Sequence, residues 1–163
     1  MTAPASALIQ QLLTRLQQLQ PDTLLHISPT PHAELATALA NQGADYQQVS
    51  AEQLLHAPQQ IAPATLVLVS ESLEQLPPSQ GRQLLGLLRN YHARHLWVLY
   101  RPTANPWVAT DFYALALQQE AEFSSEQGSL FWYSYDVHTY NHVRSWNNPK
   151  NWANPQNWGK YWW

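Results

Sequence analysis

Apolar and polar residues recur along this chain with two periods. In "SALIQQLLTRLQQLQ" (6–20), Leu8, Ile9, Leu12, Leu13, Leu16 and Leu19 fall on one helical face. Ser6 is placed to cap that helix and Pro21 to stop it. "TLLHIS" (23–28) is short, apolar and bounded by Pro21 and Pro29, the pattern of a buried strand. "PHAELATALANQG" (31–43) opens with proline and closes on Asn41 and Gly43, which predicts a helix with both end signals. "DYQQVS" (45–50) reads as a weaker strand and "AEQLLHA" (51–57) as one or two helical turns. "ATLVLVS" (64–70) and "HLWVLY" (95–100) are apolar on both faces, as strands covered on both sides must be. Between them "SQGRQLLGLLRNYHA" (79–93) has helical spacing. "ATDFYALALQQEAEF" (109–123) reads as a further helix and "GSLFWYSYDV" (128–137) as a last, aromatic strand.

Strands that alternate with helices in this way predict right-handed crossovers and an α/β, Rossmann-like, doubly wound sheet. The expectation is about five or six mostly parallel strands with helices on both faces. The last strand could run antiparallel at or near an edge. The 163 residues suffice for one domain: an N-terminal helix (1–22), an α/β core (23–137) and an irregular, Trp-rich C-terminal segment (138–163) packed on the core.

Composition changes this picture at two points. Charged residues are only 12% of the chain, about half the usual share, and glutamine supplies much of the polarity. No apolar run reaches the roughly 20 residues of a membrane span. The N-terminus lacks a basic region before its apolar stretch, so no secretory signal is expected and the default expectation is a cytoplasmic protein; the lack of cysteine removes disulfides and says little about compartment. Charge is unevenly spread. Residues 1–136 carry 5 basic and 11 acidic side chains, whereas 137–163 carry Arg144, Lys150 and Lys160 and no acid.

That basic tail ends "WNNPKNWANPQNWGKYWW" (146–163) and holds five of the eight tryptophans. "NNPKNW" and "ANPQNW" form a short repeat in which each Asn-Pro pair can start a turn that aims one tryptophan. Five exposed indoles would be an aggregation hazard unless something covered them. One reading docks the tail on the acidic body. The other makes Trp146, Trp152, Trp158, Trp162 and Trp163 a contact surface for a protein partner, or a stacking platform for sugar or single-stranded nucleic acid. Three cations beside an acidic body weigh against nucleic acid.

The stretch "TLVLVSESLEQLPPSQGRQLLGLLRNYHARHLWVLYRP" (65–102) resembles the fourth strand, following helix and fifth strand of class I S-adenosylmethionine-dependent methyltransferases. "LEQL" (73–76) stands where those proteins commonly have a "LEHL"-like segment. The closing "WANPQNWGKYWW" is similar to the tail of an uncharacterised family of small bacterial proteins. The resemblance implies a methyltransferase-like frame, and S-adenosylmethionine as a possible cofactor. Two of that cofactor's requirements are absent. The turn after the first strand, "HISPTPHAEL" (26–35), has two prolines where the family has glycines. The second strand ends on Gln48, Val49 and Ser50 instead of the acid that holds ribose hydroxyls, and Glu52 comes too late.

Ser70, Glu71 and Glu74 follow a parallel strand, where open α/β sheets bind ligands, and Ser28 and Thr30 follow the first strand. These five are the candidate ligand-binding residues. Each also has a plainer role, as a helix cap or a first-turn acid. His92 with His95, and His138 with His142, have zinc-like spacings but straddle element ends, so no metal site is assigned. Arg89, His92 and Arg94 suit a helix C-terminus. His26, Asp136 and Ser28 would make a triad only if the fold placed them together, and no nucleophile elbow is present. No catalytic residue is assigned. The expected function is non-catalytic binding or regulation on a degenerate methyltransferase-like fold. The rivals are an active methyltransferase, or other small-ligand enzyme, with an atypical first loop, and an aromatic-platform binding module.

Overall fold

The structure is a computed structural model, and it describes residues 3–41, 43–104, 106–125, 128–141, 154–157 and 159–160. In chain order the elements are α1 (Ala3–Leu19), β1 (Thr23–Ile27), α2 (Ala33–Asn41), β2 (Asp45–Val49), α3 (Ala51–His56), β3 (Ala64–Val69), α4 (Pro78–Leu87), β4 (Ala93–Tyr100), α5 (Ala109–Ala114), β5 (Gln118–Ser125) and β6 (Gly128–Asp136). The six strands form one sheet in the order β2-β1-β3-β4-β6-β5. β1 pairs in parallel with β2 and β3, and β3 with β4. β6 is antiparallel to both of its neighbours, so it alone runs against the other five. This is the expected α/β architecture, with the antiparallel strand one place in from the edge.

Alternation along the strands builds two cores. Leu25, Ile27, Val67, Val69, Leu96 and Val98 face α3, α4 and α5. Leu24, Leu66, Leu68, Trp97, Leu99 and Trp132 face α1 and α2, where Leu12, Leu16 and Leu39 meet them. Trp97 and Trp132 meet edge to face at 5.1 Å, and Phe112 stacks on Tyr133 at 3.9 Å. Trp97, Trp107 and Trp132 are all buried. Trp146, Trp152, Trp158, Trp162 and Trp163, the proposed contact surface, lie outside the described residues, as does His142.

Several local expectations are corrected. α1 begins at Ala3, so Ser6 lies inside the helix and is not its cap. α2 begins at Ala33, which leaves Pro31 and His32 in the preceding loop. The segment 109–123 is not one helix. α5 ends after six residues, Ala116 takes a left-handed φ of 61°, and the chain turns into β5. Helix-favouring residues yield here to pairing with β6, which sets Ala121 opposite Trp132 and Phe123 opposite Leu130. α4 continues into a π-helical turn, Leu88–His92. His92 is buried there, and burial holds it below the usual histidine range. It is therefore a neutral packing residue rather than a charge on the helix C-terminus. Among the described residues no helix is long and apolar enough to cross a membrane, and no group of three histidines or acids could hold a metal.

Candidate functional site

The chain leaves β1 towards β2 on one side and reaches β3 on the other, so the sheet's topological switch point lies between β1 and β3. Ligands of open α/β sheets sit at the carboxyl edge at such a point. Here that edge is laced with side-chain hydrogen bonds. His26 stands near the end of β1 on the α1 face. Its Nε2 lies 2.8 Å from Ser70 Oγ, just past β3, and its Nδ1 lies 2.9 Å from Tyr46 Oη on β2. A neutral imidazole can donate at one nitrogen and accept at the other, so one ring serves both hydroxyls. Burial, reinforced by the nearby His32, lowers the His26 pKa to about 4. Burial also raises that of Tyr46.

The loop after β1 is closed on itself and on its neighbours. Ser28 Oγ donates to the Thr30 carbonyl at 3.0 Å and accepts from the Thr30 N–H. Gln48 Nε2 reaches across from β2 to the carbonyls of Ser28 and Thr30, at 3.2 and 2.8 Å. Thr30 Oγ1 donates to Glu71 Oε2 at 2.6 Å, which joins the loop after β1 to the loop after β3. Ser72 Oγ donates to the carbonyls of Ile27 and Ser70 and pins the same two chains below. Past β2, where an acid for the ribose is missing, Ser50 and Gln53 form a capping box for α3, and Glu52 points to solvent.

Beside this laced edge lies a cleft of about 580 Å³ between α1 and the carboxyl ends of β1, β3 and β4. Leu8, Leu12, Leu13, Leu99 and Leu130 give it an apolar wall, and His26, Ser70, Glu71, Glu74 and Arg101 a polar end. Glu74 Oε1 accepts from the Arg101 backbone N–H at 2.7 Å. Glu74 Oε2 and Arg101 Nη1 are buried, and neither has a hydrogen-bond partner among the described residues. Burial raises the Glu74 carboxyl above its ordinary range and the charge of Glu71 adds to the rise, while the backbone N–H groups of Arg101 and Glu74 and the Arg101 charge work the other way.

The structure thus divides the five candidates. Ser70, Glu71 and Glu74 border the cleft, whereas Ser28 and Thr30 bond within and between loops. The triad of His26, Asp136 and Ser28 does not form. Asp136 sits at the opposite edge, 3.8 Å from His95. Sequence reasoning missed Tyr46, His32, Arg101 and the part of α1 in the wall. The signal for His26 was visible: a lone polar residue in an apolar strand, on the face that also presents Ser70.

An open, mostly parallel sheet of this order, with its one reversed strand near the edge and its crevice at the carboxyl end, defines a methyltransferase-like Rossmann fold. Solved structures bear this out. A magnesium protoporphyrin IX methyltransferase from Synechocystis with bound S-adenosylmethionine matches with a TM-score of 0.61 at 13% identity, over 80% of this chain and 78% of that one. The 1,6-didemethyltoxoflavin-N1-methyltransferase of Burkholderia thailandensis matches at 0.55 and 12% identity, over 81% of this chain and 76% of that one. A TehB-like methyltransferase from Corynebacterium glutamicum matches at 0.51 and 13%, over 76% and 86%. At such identities the likeness concerns the fold alone. The chain belongs to DUF6231, a family of unknown function whose model matches residues 6–163. No protein of curated function matches the sequence significantly.

Proposed function

We propose that this protein binds or regulates rather than methylates, on a methyltransferase-like frame whose cofactor crevice is closed by its own side chains. The observation that carries this reading is the 2.6 Å bond from Thr30 to Glu71, which ties the two loops across the switch point. A nucleoside cofactor seated there must part those loops and pull Gln48 from the backbone it holds. Pro29 and Pro31 add to the cost. Each fixes its φ and offers no N–H, where cofactor loops need glycine and a close backbone approach. The residues present therefore do not fit S-adenosylmethionine. The open volume lies under α1, bordered by the loops after β1 and β3, and the binding role is assigned to it.

Calorimetric titration of the full-length protein with S-adenosylmethionine and S-adenosylhomocysteine tests this. The expected result is no binding heat up to millimolar ligand. Micromolar affinity for either would overturn the reading and restore an active methyltransferase with an atypical first loop.

A further inference from the structure

The cleft under α1 has an apolar wall that stands open. Leu8, Ile9 and Leu13 on α1 and Leu130 on β6 are each half-buried, and they border about 580 Å³ of free volume. Ile9 belongs to neither hydrophobic core, so its place on the cleft is not explained by packing inside the protein. Small-molecule sites span about 300–1,000 Å³, and their lining is mostly apolar with a few polar groups that orient the ligand.

The polar groups that border the cleft divide by reach. Glu74 Oε2 and Arg101 Nη1 are sealed from solvent, and the charges of these two residues act on each other beneath the surface. His26 and Ser70 are buried and bonded to each other. Glu71 differs from all four, because its side chain is exposed. Its Oε2 accepts from Thr30, its Oε1 accepts from no described residue, and it forms no ion pair with any of them. It also holds a left-handed φ of 55°. That conformation is costly for a residue with a Cβ, and such residues cluster where ligands bind. The accessible end of the cleft therefore carries one uncompensated negative charge beside an apolar wall.

From these observations we infer that the cleft under α1 binds a single-chain apolar amine, with its ammonium at the Glu71 carboxylate and its hydrocarbon chain along Leu8, Ile9 and Leu13. The inference rests on the reading of this cleft as the protein's binding site, and it names the ligand class. An ammonium has three donors. One meets Glu71 and the others stay in water at the exposed rim, so the head is not stripped of its hydration. An exposed ion pair adds little affinity, so Glu71 sets the sign of the head and the apolar wall supplies most of the binding. A carboxylate or phosphate head would stand against Glu71 and be disfavoured.

The test is calorimetry on the full-length protein with hexylamine, octylamine, 1-octanol and octanoate. It is run at about pH 8, where alkylamines are charged and an ordinary histidine is not. The expected order places octylamine first. Affinity should rise about fourfold per added methylene, the yield of burying one CH₂. Octanol should bind about fivefold more weakly than octylamine, the worth of an exposed ion pair, and octanoate more weakly still. High salt should shrink the preference for the amine over octanol, because exposed charges are screened. Glu71→Gln, which keeps an acceptor for Thr30, should level octylamine and octanol and leave the chain-length dependence in place. Ile9→Trp, outside both cores, should fill the cleft and abolish binding of every member. No binding of octylamine by folded protein overturns the inference. So does octanoate binding as tightly as octylamine, a preference untouched by Glu71→Gln, or binding that survives Ile9→Trp. The ligand series on the unaltered protein is decisive by itself if a variant does not fold. S-adenosylmethionine titrated into the same sample keeps the two readings apart. Its binding would sink the non-methylating role, whereas silence from octylamine alone overturns only the amine.

Discussion

His26 is a residue whose charge state is part of the fold. Its two ring nitrogens are occupied by Ser70 and Tyr46, and burial leaves its pKa near 4, against 6.5 for a free side chain. The sign of the pH effect follows. A depressed histidine lends stability that is whole above about pH 6.5, and it is lost as pH falls towards 4, because the unfolded chain takes the proton first. The expected loss between pH 7 and pH 4.5 is about 2 kcal/mol. His92, also depressed, acts in the same direction. Glu74 acts in the opposite one, since a raised carboxyl stabilises more as pH falls. Comparison with His26→Gln isolates the term. In urea unfolding the wild type should lose about 2 kcal/mol more than the variant over this interval. Parallel losses would show that His26 does not titrate in this way. The importance of His26 could be anticipated from its isolation in "TLLHIS", but its partners could not. They come from β2 and the end of β3, 20 and 44 residues away, and only the sheet order brings them together.

Among the elements, α4 carries the tightest constraint. Gly81 lies against Trp107, and a Cβ there would stand 2.6 Å from the indole Cζ2 and 3.3 Å from a Leu73 methyl. The indole cannot swing away easily, because it packs on Phe112 at 5.1 Å and its backbone N–H donates to Tyr100 Oη. Gly81→Ala gains up to about 1 kcal/mol of helix propensity. Overpacking in a filled core costs about 1–3 kcal/mol. The expected outcome is a lower melting temperature, and a variant that melts higher would contradict the contact. Elements with a clean period were legible in the sequence: β1, β3, β4 and β6, and the helices α1 and α4. β5 was not. "QQEAEFSS" is built of residues that suit a helix, and nothing local marks the left-handed turn at Ala116. Its strand state comes from β6, which lies beyond it in sequence. The candidate site was legible to a similar degree. A strand end announces Ser70, Glu71 and Glu74, but the wall from α1 and the buried Nη1 of Arg101 depend on how a helix and a fourth strand are placed in space.

At the scale of the whole molecule, the alternation of strands and helices predicts a doubly wound, mostly parallel sheet and the resemblance of residues 65–102 a methyltransferase-like frame, and the fold agrees with both. The hydrogen bonds across the switch point and the cleft they border were not inferable, since both are products of contacts between loops distant in sequence. The sheet order has a further consequence, in the language of solvent exchange. β5 is joined to the sheet through β6 alone, and its ladder is interrupted by a register shift between Gln119 and Ala121. β1 and β3 are flanked on both sides by paired strands. Local openings can therefore release β5 without disturbing the centre, whereas freeing β1 or β3 requires most of the sheet to part. Backbone amides of Gln118–Ser125 should take up deuterium well before those of Thr23–Ile27 and Ala64–Val69, with the central strands exchanging only through global unfolding. Equal protection across all three would mean that the hairpin and the centre open as one unit.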